Sequence, residues 1–99
     1  MQIQRTQENG ITVLKVIGQL RSPTAPSLEA AINSILETEN SLILDFSELD
    51  FLASSGIRVI LSTMKKIKTQ FGSLVVRNCN KVVMDVFEMT GLREILNIQ

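Results

Sequence analysis

Hydrophobic positions along the chain change spacing several times, and each change marks an element. Ile11 to Ile17 is rich in β-branched residues with imperfect alternation, which predicts a strand ended by Gly18. Ile3 to Thr6 predicts a weaker first strand. Glu8-Asn9-Gly10 between them predicts a hairpin turn, because Asn-Gly supplies the positive φ that such turns need. Leu28, Ala31, Ile32, Ile35 and Leu36 share one helical face. They follow an entrance, Arg21 to Ser27, whose prolines suit a first turn and not a helix interior. After a polar exit at Glu37 to Asn40, Ser41 to Asp45 predicts a short buried strand.

Phe46 to Ala53 reads as a loop. Positions 57, 60, 61, 64, 67 and 71 then follow the i, i+3, i+4, i+7 spacing of a helix over Ser54 to Gln70, stopped by Phe71-Gly72. On this reading Arg58, Ser62, Lys65, Lys66 and Thr69 face outward, and the lysines are a solvated face. Leu74 to Arg77 predicts the next strand. Lys81 to Thr90 predicts a third helix, with Asn80 as its cap and Gly91 in the left-handed position after it, so that Leu92 packs back against Phe87. Ile95 to Ile98 reads as a last short strand or a tail over the core. The order is a hairpin followed by helix, strand, helix, strand, helix. Strands separated by single helices pair in parallel, so the expected fold is α/β with a mixed sheet, in one domain over residues 1–99.

Composition narrows the chemistry. Ten basic and ten acidic residues cancel, so there is no uniformly basic nucleic-acid footprint. The absence of histidine removes Ser-His-Asp and Cys-His nucleophile machinery, phosphohistidine relays and histidine metal sites. No cofactor or metal is expected. Cys79 is alone, so no internal disulfide forms, and a buried thiol is expected in preference to a reactive one. Met64, Met84 and Met89 read as core fillers. No apolar run approaches a membrane span, and the start lacks the apolar centre of a signal peptide. Both points favour the cytoplasm.

The chemically interesting stretch is Asp50 to Ile60. Ser54 and Ser55 fall at the start of the long helix, where a hydroxyl can accept from a free amide and an anion is tolerated by the dipole. The expectation is that both hydroxyls cap the helix and that Ser55 is exposed and available. Gly56 is expected to make a tight turn that also lets a partner approach the backbone. Val59 lies off the main apolar stripe, beside Arg58. It either faces a partner or makes a second packing contact.

Asp45 to Ile57, with its Ser54-Ser55-Gly56 block, resembles the signature of the STAS domain family, and within it the bacterial anti-sigma factor antagonists. Gly18-Gln19-Leu20 and Glu88-Met89-Thr90-Gly91-Leu92 resemble two further landmarks in the same order. The resemblance spans nearly the whole chain and implies the same mixed α/β architecture. It implies a binding protein and not an enzyme, phosphorylated at Ser55 by an anti-sigma factor serine kinase, with Ser54 as second choice. A metal-dependent serine phosphatase would reverse the step. The docking surface expected around this site contains Ser54, Ser55, Gly56, Arg58, Val59 and Arg21. The family commonly carries Asp where this chain has Ala53 and Arg21, which makes the surroundings of Ser55 less acidic.

Three other readings follow from the same residues. STAS domains also resemble scaffold subunits of stress-sensing assemblies and of lipid-trafficking transporters, with no phosphorylation. An anion or nucleotide at the helix tip is a second reading, without support from a phosphate-cradling GxxxxGK[ST] loop. A serine hydrolase is the third, and the lack of a base opposes it.

Overall fold

A mixed sheet and three helices are built from the elements β1 (Gln2–Glu8), β2 (Ile11–Leu20), α1 (Ala25–Leu36), β3 (Ser41–Asp45), β4 (Leu49–Leu52), α2 (Ser54–Thr69), β5 (Ser73–Arg77), α3 (Lys81–Thr90) and β6 (Asn97–Ile98). The structure is a computed structural model covering residues 1–99. A single 3-10 turn, Leu92–Glu94, lies between α3 and β6. The sheet runs β1-β2-β3-β5-β6, and β4 adds separately to β2. Only the β1–β2 pair is antiparallel. This is the expected hairpin followed by parallel crossovers. The turn between β1 and β2 forms at Asn9 (φ 53°) and Gly10 (φ 81°), the positive pair that an Asn-Gly hairpin turn requires.

Three expectations about the strands need correction. The first two strands extend to Gln2–Glu8 and through Gly18 to Leu20. Gly18 does not end β2. It takes φ +101° where the register shifts, and its amide donates to the Glu48 carbonyl at 3.0 Å. The bulge re-aims β2, which pairs with β3 over Thr12 to Lys15 and with β4 over Gly18 to Leu20. The stretch expected as one loop, Phe46 to Ala53, therefore contains a strand. Leu49-Asp50-Phe51-Leu52 forms it although its burial does not alternate: Leu49 and Leu52 are buried, Asp50 and Phe51 exposed. Its strand state comes from pairing with the tail of β2.

The buried side of α2 is wider than the expected stripe, whose Ile57, Ile60, Leu61, Met64 and Ile67 do pack on the core. Gly56, Val59, Ile60, Thr63 and Ile67 are buried, because α1 packs against α2 and covers a second face. Buried Thr63 is satisfied within the helix, its hydroxyl donating to the Val59 carbonyl at 2.8 Å. Phe71 does not continue the stripe. It follows the helix with φ +55° and is 95% exposed. Met64 and Met84 pack against the core as expected, whereas Met89 is exposed.

Phe46 and Phe87 centre the core, with ring centroids 6.4 Å apart. Asp45, at the end of β3, fixes the connection to β4. Its carboxylate accepts from the Ser47 amide at 2.9 Å and from Asn78 Nδ2 at 3.1 Å. Burial pushes this carboxyl up. The hydrogen bonds from Ser47 and Asn78, with the Arg77 charge, more than offset that and hold it below the ordinary range.

Candidate functional site

The tip of α2 is held from below by the sheet. The Ala53 amide, just after β4, donates to the Leu20 carbonyl at 2.9 Å. The third helical residue, Gly56, then sits directly on the sheet. A Cβ at Gly56 would lie 2.6 Å from Leu20 Cγ and 2.7 Å from Leu52 Cδ1. Its lack of a side chain therefore serves packing toward the interior. The expectation that Gly56 opens the backbone to a partner is corrected: Gly56 is buried.

The capping expectation is corrected as well. The residue at the cap position is Ala53, and no side chain caps α2. The Gly56 and Ile57 amides donate to the Ala53 carbonyl, while the amides of Ser54 and Ser55 precede the first in-helix bond. Ser54 is exposed. Ser55 is half-buried, and its Oγ is closed from solvent with no hydrogen-bond partner. The free, outward Ser55 hydroxyl expected from the sequence is thus an enclosed one.

Beside it lies a shallow pocket of about 280 Å³ between the two packed helices. Ser55, Arg58 and Val59 line it from α2, with Ser22, Ala25, Pro26 and Glu29 from α1 and its approach. Val59 is 5% exposed and belongs to the core, so its role is the packing contact and not a projecting partner contact. Arg58 is exposed. Arg21 is not part of this pocket. Its guanidinium lies 5.0 Å from the centroid of the half-exposed Phe51 ring and donates to Gln19 Oε1 at 3.1 Å. The loop that carries it is fastened by Thr24, whose hydroxyl accepts from the Arg21 amide at 2.9 Å.

The fold therefore brings Ser54, Ser55, Gly56, Arg58 and Val59 to one helix end, and stations Arg21 beside it on Phe51. Sequence reasoning did not find Ser22, Pro26 and Glu29 as pocket walls, because only the α1–α2 packing brings them there. The sequence reads Phe51 only as a loop residue. Its exposure follows from the non-alternating burial of β4.

Elsewhere the structure offers less chemistry. A wider depression of about 660 Å³ lies at the amino ends of β2 and β3, beside the carboxyl ends of α1 and α2, with mostly polar walls. Cys79 packs against the core, and burial pushes its thiol up to about 11, which keeps it protonated and unreactive near neutral pH. No group of three or more Cys, Asp or Glu side chains is assembled. No helix is long and apolar enough to cross a membrane.

Comparison with known proteins agrees with this architecture. The chain is 29% identical over 94 residues to the anti-sigma-B factor antagonist of Bacillus subtilis, an alignment that takes in 95% of this chain and 85% of that one. It is 28% identical over 99 residues to the putative anti-sigma factor antagonist BtrV of Bordetella bronchiseptica, covering 99% and 85%. Its fold superposes on SpoIIAA, an anti-sigma factor antagonist. For the unphosphorylated form the TM-score is 0.84 at 22% identity, covering 99% of this chain and 88% of that one. For the phosphorylated form, from Bacillus, the TM-score is 0.77 at 21% identity, covering 99% and 91%. The family model described as the STAS domain matches residues 2–99. With the whole chain matched and the mixed sheet and α2 tip in place, this protein belongs to the STAS domain family.

Proposed function

We propose that the chain is an anti-sigma factor antagonist, a cytoplasmic binding module and not an enzyme, switched by phosphorylation of Ser55. The unmodified α2 tip docks on a serine kinase that also restrains a sigma factor, and docking frees the sigma factor. The kinase then transfers phosphate from ATP. Ser55 Oγ bonds to the γ-phosphorus as the bond to the β–γ bridging oxygen breaks. ADP leaves, and the hydroxyl proton passes to a base of the kinase. A metal-dependent phosphatase hydrolyses the ester and resets the switch.

The observation that carries this reading is the Ser55 hydroxyl, enclosed without a partner on the exposed end of a STAS domain. A polar atom held this way costs about 1–3 kcal/mol relative to a satisfied one. Turning about its Cα–Cβ bond toward the kinase breaks no hydrogen bond and gains water. The hydroxyl is therefore readily brought out. The fold also suits the product, since a phosphate of about −1.5 to −2 charges at a helix N-terminus is favoured by the dipole. Its effect falls on the docking surface. The anti-sigma factor antagonists among its relatives, and a fold shared with a protein known in a phosphorylated form, support the same conclusion.

The test uses the purified chain with the anti-sigma serine kinase of its own organism. Mass analysis after incubation with ATP should find one phosphate, at Ser55. Ser55→Asp should weaken kinase binding by about a hundredfold, equal to about 2.7 kcal/mol. Unchanged affinity of S55D overturns the reading. Stable partner binding with no phosphate at Ser54 or Ser55 would make the chain a constitutive scaffold instead.

A further inference from the structure

Arg58 differs from the other four of the five arginines in the chain. Arg5 pairs with Glu39, Arg77 with Glu8 and Arg93 with Glu88. Arg21 is occupied by Phe51 and Gln19. Arg58 alone has neither an ion pair nor a side-chain hydrogen bond, although Glu29 lines the same pocket. Ser55 and Arg58 thus flank one pocket, the guanidinium unengaged and the seryl oxygen buried without a partner. The two residues are three apart on one helix, so their Cβ atoms are neighbours at about 5–6 Å.

We infer that Arg58 is the counter-charge for phosphate on Ser55. Its guanidinium closes over the phosphoryl group from one turn further along α2 and holds it in paired hydrogen bonds against the helix tip. The guanidinium fork matches phosphate oxygens in a way that a lysine ammonium does not. Glu29, on the facing wall from α1, is the one charged lining residue that opposes the clamp. The inference rests on Ser55 as the phosphate acceptor and adds what the phosphate does there. Modification then acts twice on a docking partner. It places negative charge at the tip and withdraws the one uncommitted arginine from the surface.

The test needs no kinase. Phosphoserine is placed at position 55 during translation, and its second ionisation is followed by phosphorus NMR in the full chain. An opposite charge favours the doubly ionised phosphate, so the pKa in the parent should lie about 0.5–1 unit below that in Arg58→Gln. Arg58→Lys should recover part of that difference, and Glu29→Gln should lower the value further. A non-specific phosphatase should remove the phosphate several-fold faster from R58Q than from the parent. Thermal melting of unmodified R58Q should match the parent, which separates the clamp from a structural role. Equal ionisation and equal dephosphorylation rates in the parent and R58Q overturn the inference. A kinase that leaves Ser55 unmodified overturns the proposed switch and leaves this titration unaffected, so the two failures are distinct.

Discussion

The two helix starts on either side of β5, those of α2 and α3, solve the same problem in opposite ways. At α3 the cap is Asn80. Its Oδ1 accepts from the Val83 amide at 3.0 Å, while its Nδ2 donates to the Leu49 carbonyl at 2.8 Å. One side chain thus satisfies the helix end and ties it to β4. At α2 the cap position is Ala53, and neither following serine caps the helix. The third helical residues differ as well. Val83 fills the core completely, whereas Gly56 leaves room that Leu20 and Leu52 take. The α3 start is closed by its own side chains. The α2 start is seated hard on the sheet, with its polar groups left uncommitted. Sites that trade local satisfaction for availability are expected where function resides.

The largest effect should come from disturbing that seat. Gly56→Ala puts a methyl group 2.6 Å from Leu20 Cγ, so the side chains below must shift or the helix must lift. Overpacking of this kind costs about 1–3 kcal/mol, or a fall in melting temperature of about 4–8 °C for each kcal/mol in a domain of this size. Partner binding should weaken along with stability, because the tip is displaced. A G56A protein as stable as the parent would mean that the tip is loosely seated, and the contrast with α3 would lose its basis.

Next in size is the cap itself. Asn80→Ala removes the bond to the Val83 amide and the bond to the Leu49 carbonyl together. A lost cap costs about 1 kcal/mol and a stranded carbonyl adds to it, so chemical denaturation should show a loss of about 1–2 kcal/mol. Phosphate acceptance at Ser55 should not change, because Asn80 is not part of its pocket. Asn80→Asp keeps the acceptor for Val83 and loses the donor to Leu49, so its loss should fall between the parent and N80A.

The same contrast explains what the sequence reveals. All of α3 is legible: its span, its Asn80 cap and Gly91 at φ +78° follow from signals within a few residues of one another. The fold class, the hairpin, the parallel order and the position of Ser54 and Ser55 at a helix start are legible for the same reason. Around α2 the deciding forces come from elsewhere in the chain. The strand at Leu49–Leu52 exists because the Gly18 bulge turns β2 toward it. Val59 is buried because α1 covers a second face of the helix, which a single apolar stripe does not encode. The pocket beside Ser55 is completed by Ser22, Pro26 and Glu29, more than twenty-five residues away along the chain. Local patterns show where an element begins. They do not show which of its groups a distant segment will cover.

The smallest stability effect separates the two helix starts most sharply. Serine at a helix start usually contributes, and its removal then costs about 1 kcal/mol. Ser55 should behave differently, because its Oγ neither caps the helix nor bonds to any other group. Ser55→Ala deletes an enclosed polar atom whose desolvation nothing offsets, and alanine is the better helix former. Stability should therefore stay level or rise, by up to about 1 kcal/mol on this reasoning. The opposite sign to N80A is what the comparison requires. Ser54→Ala should stay within about 0.5 kcal/mol of the parent, as for other exposed positions. Denaturant midpoints of the three variants, measured with a common slope, decide the matter. If S55A lost as much as N80A, the Ser55 hydroxyl would be a structural cap in solution, and its availability to a kinase would have to be set against the helix it holds.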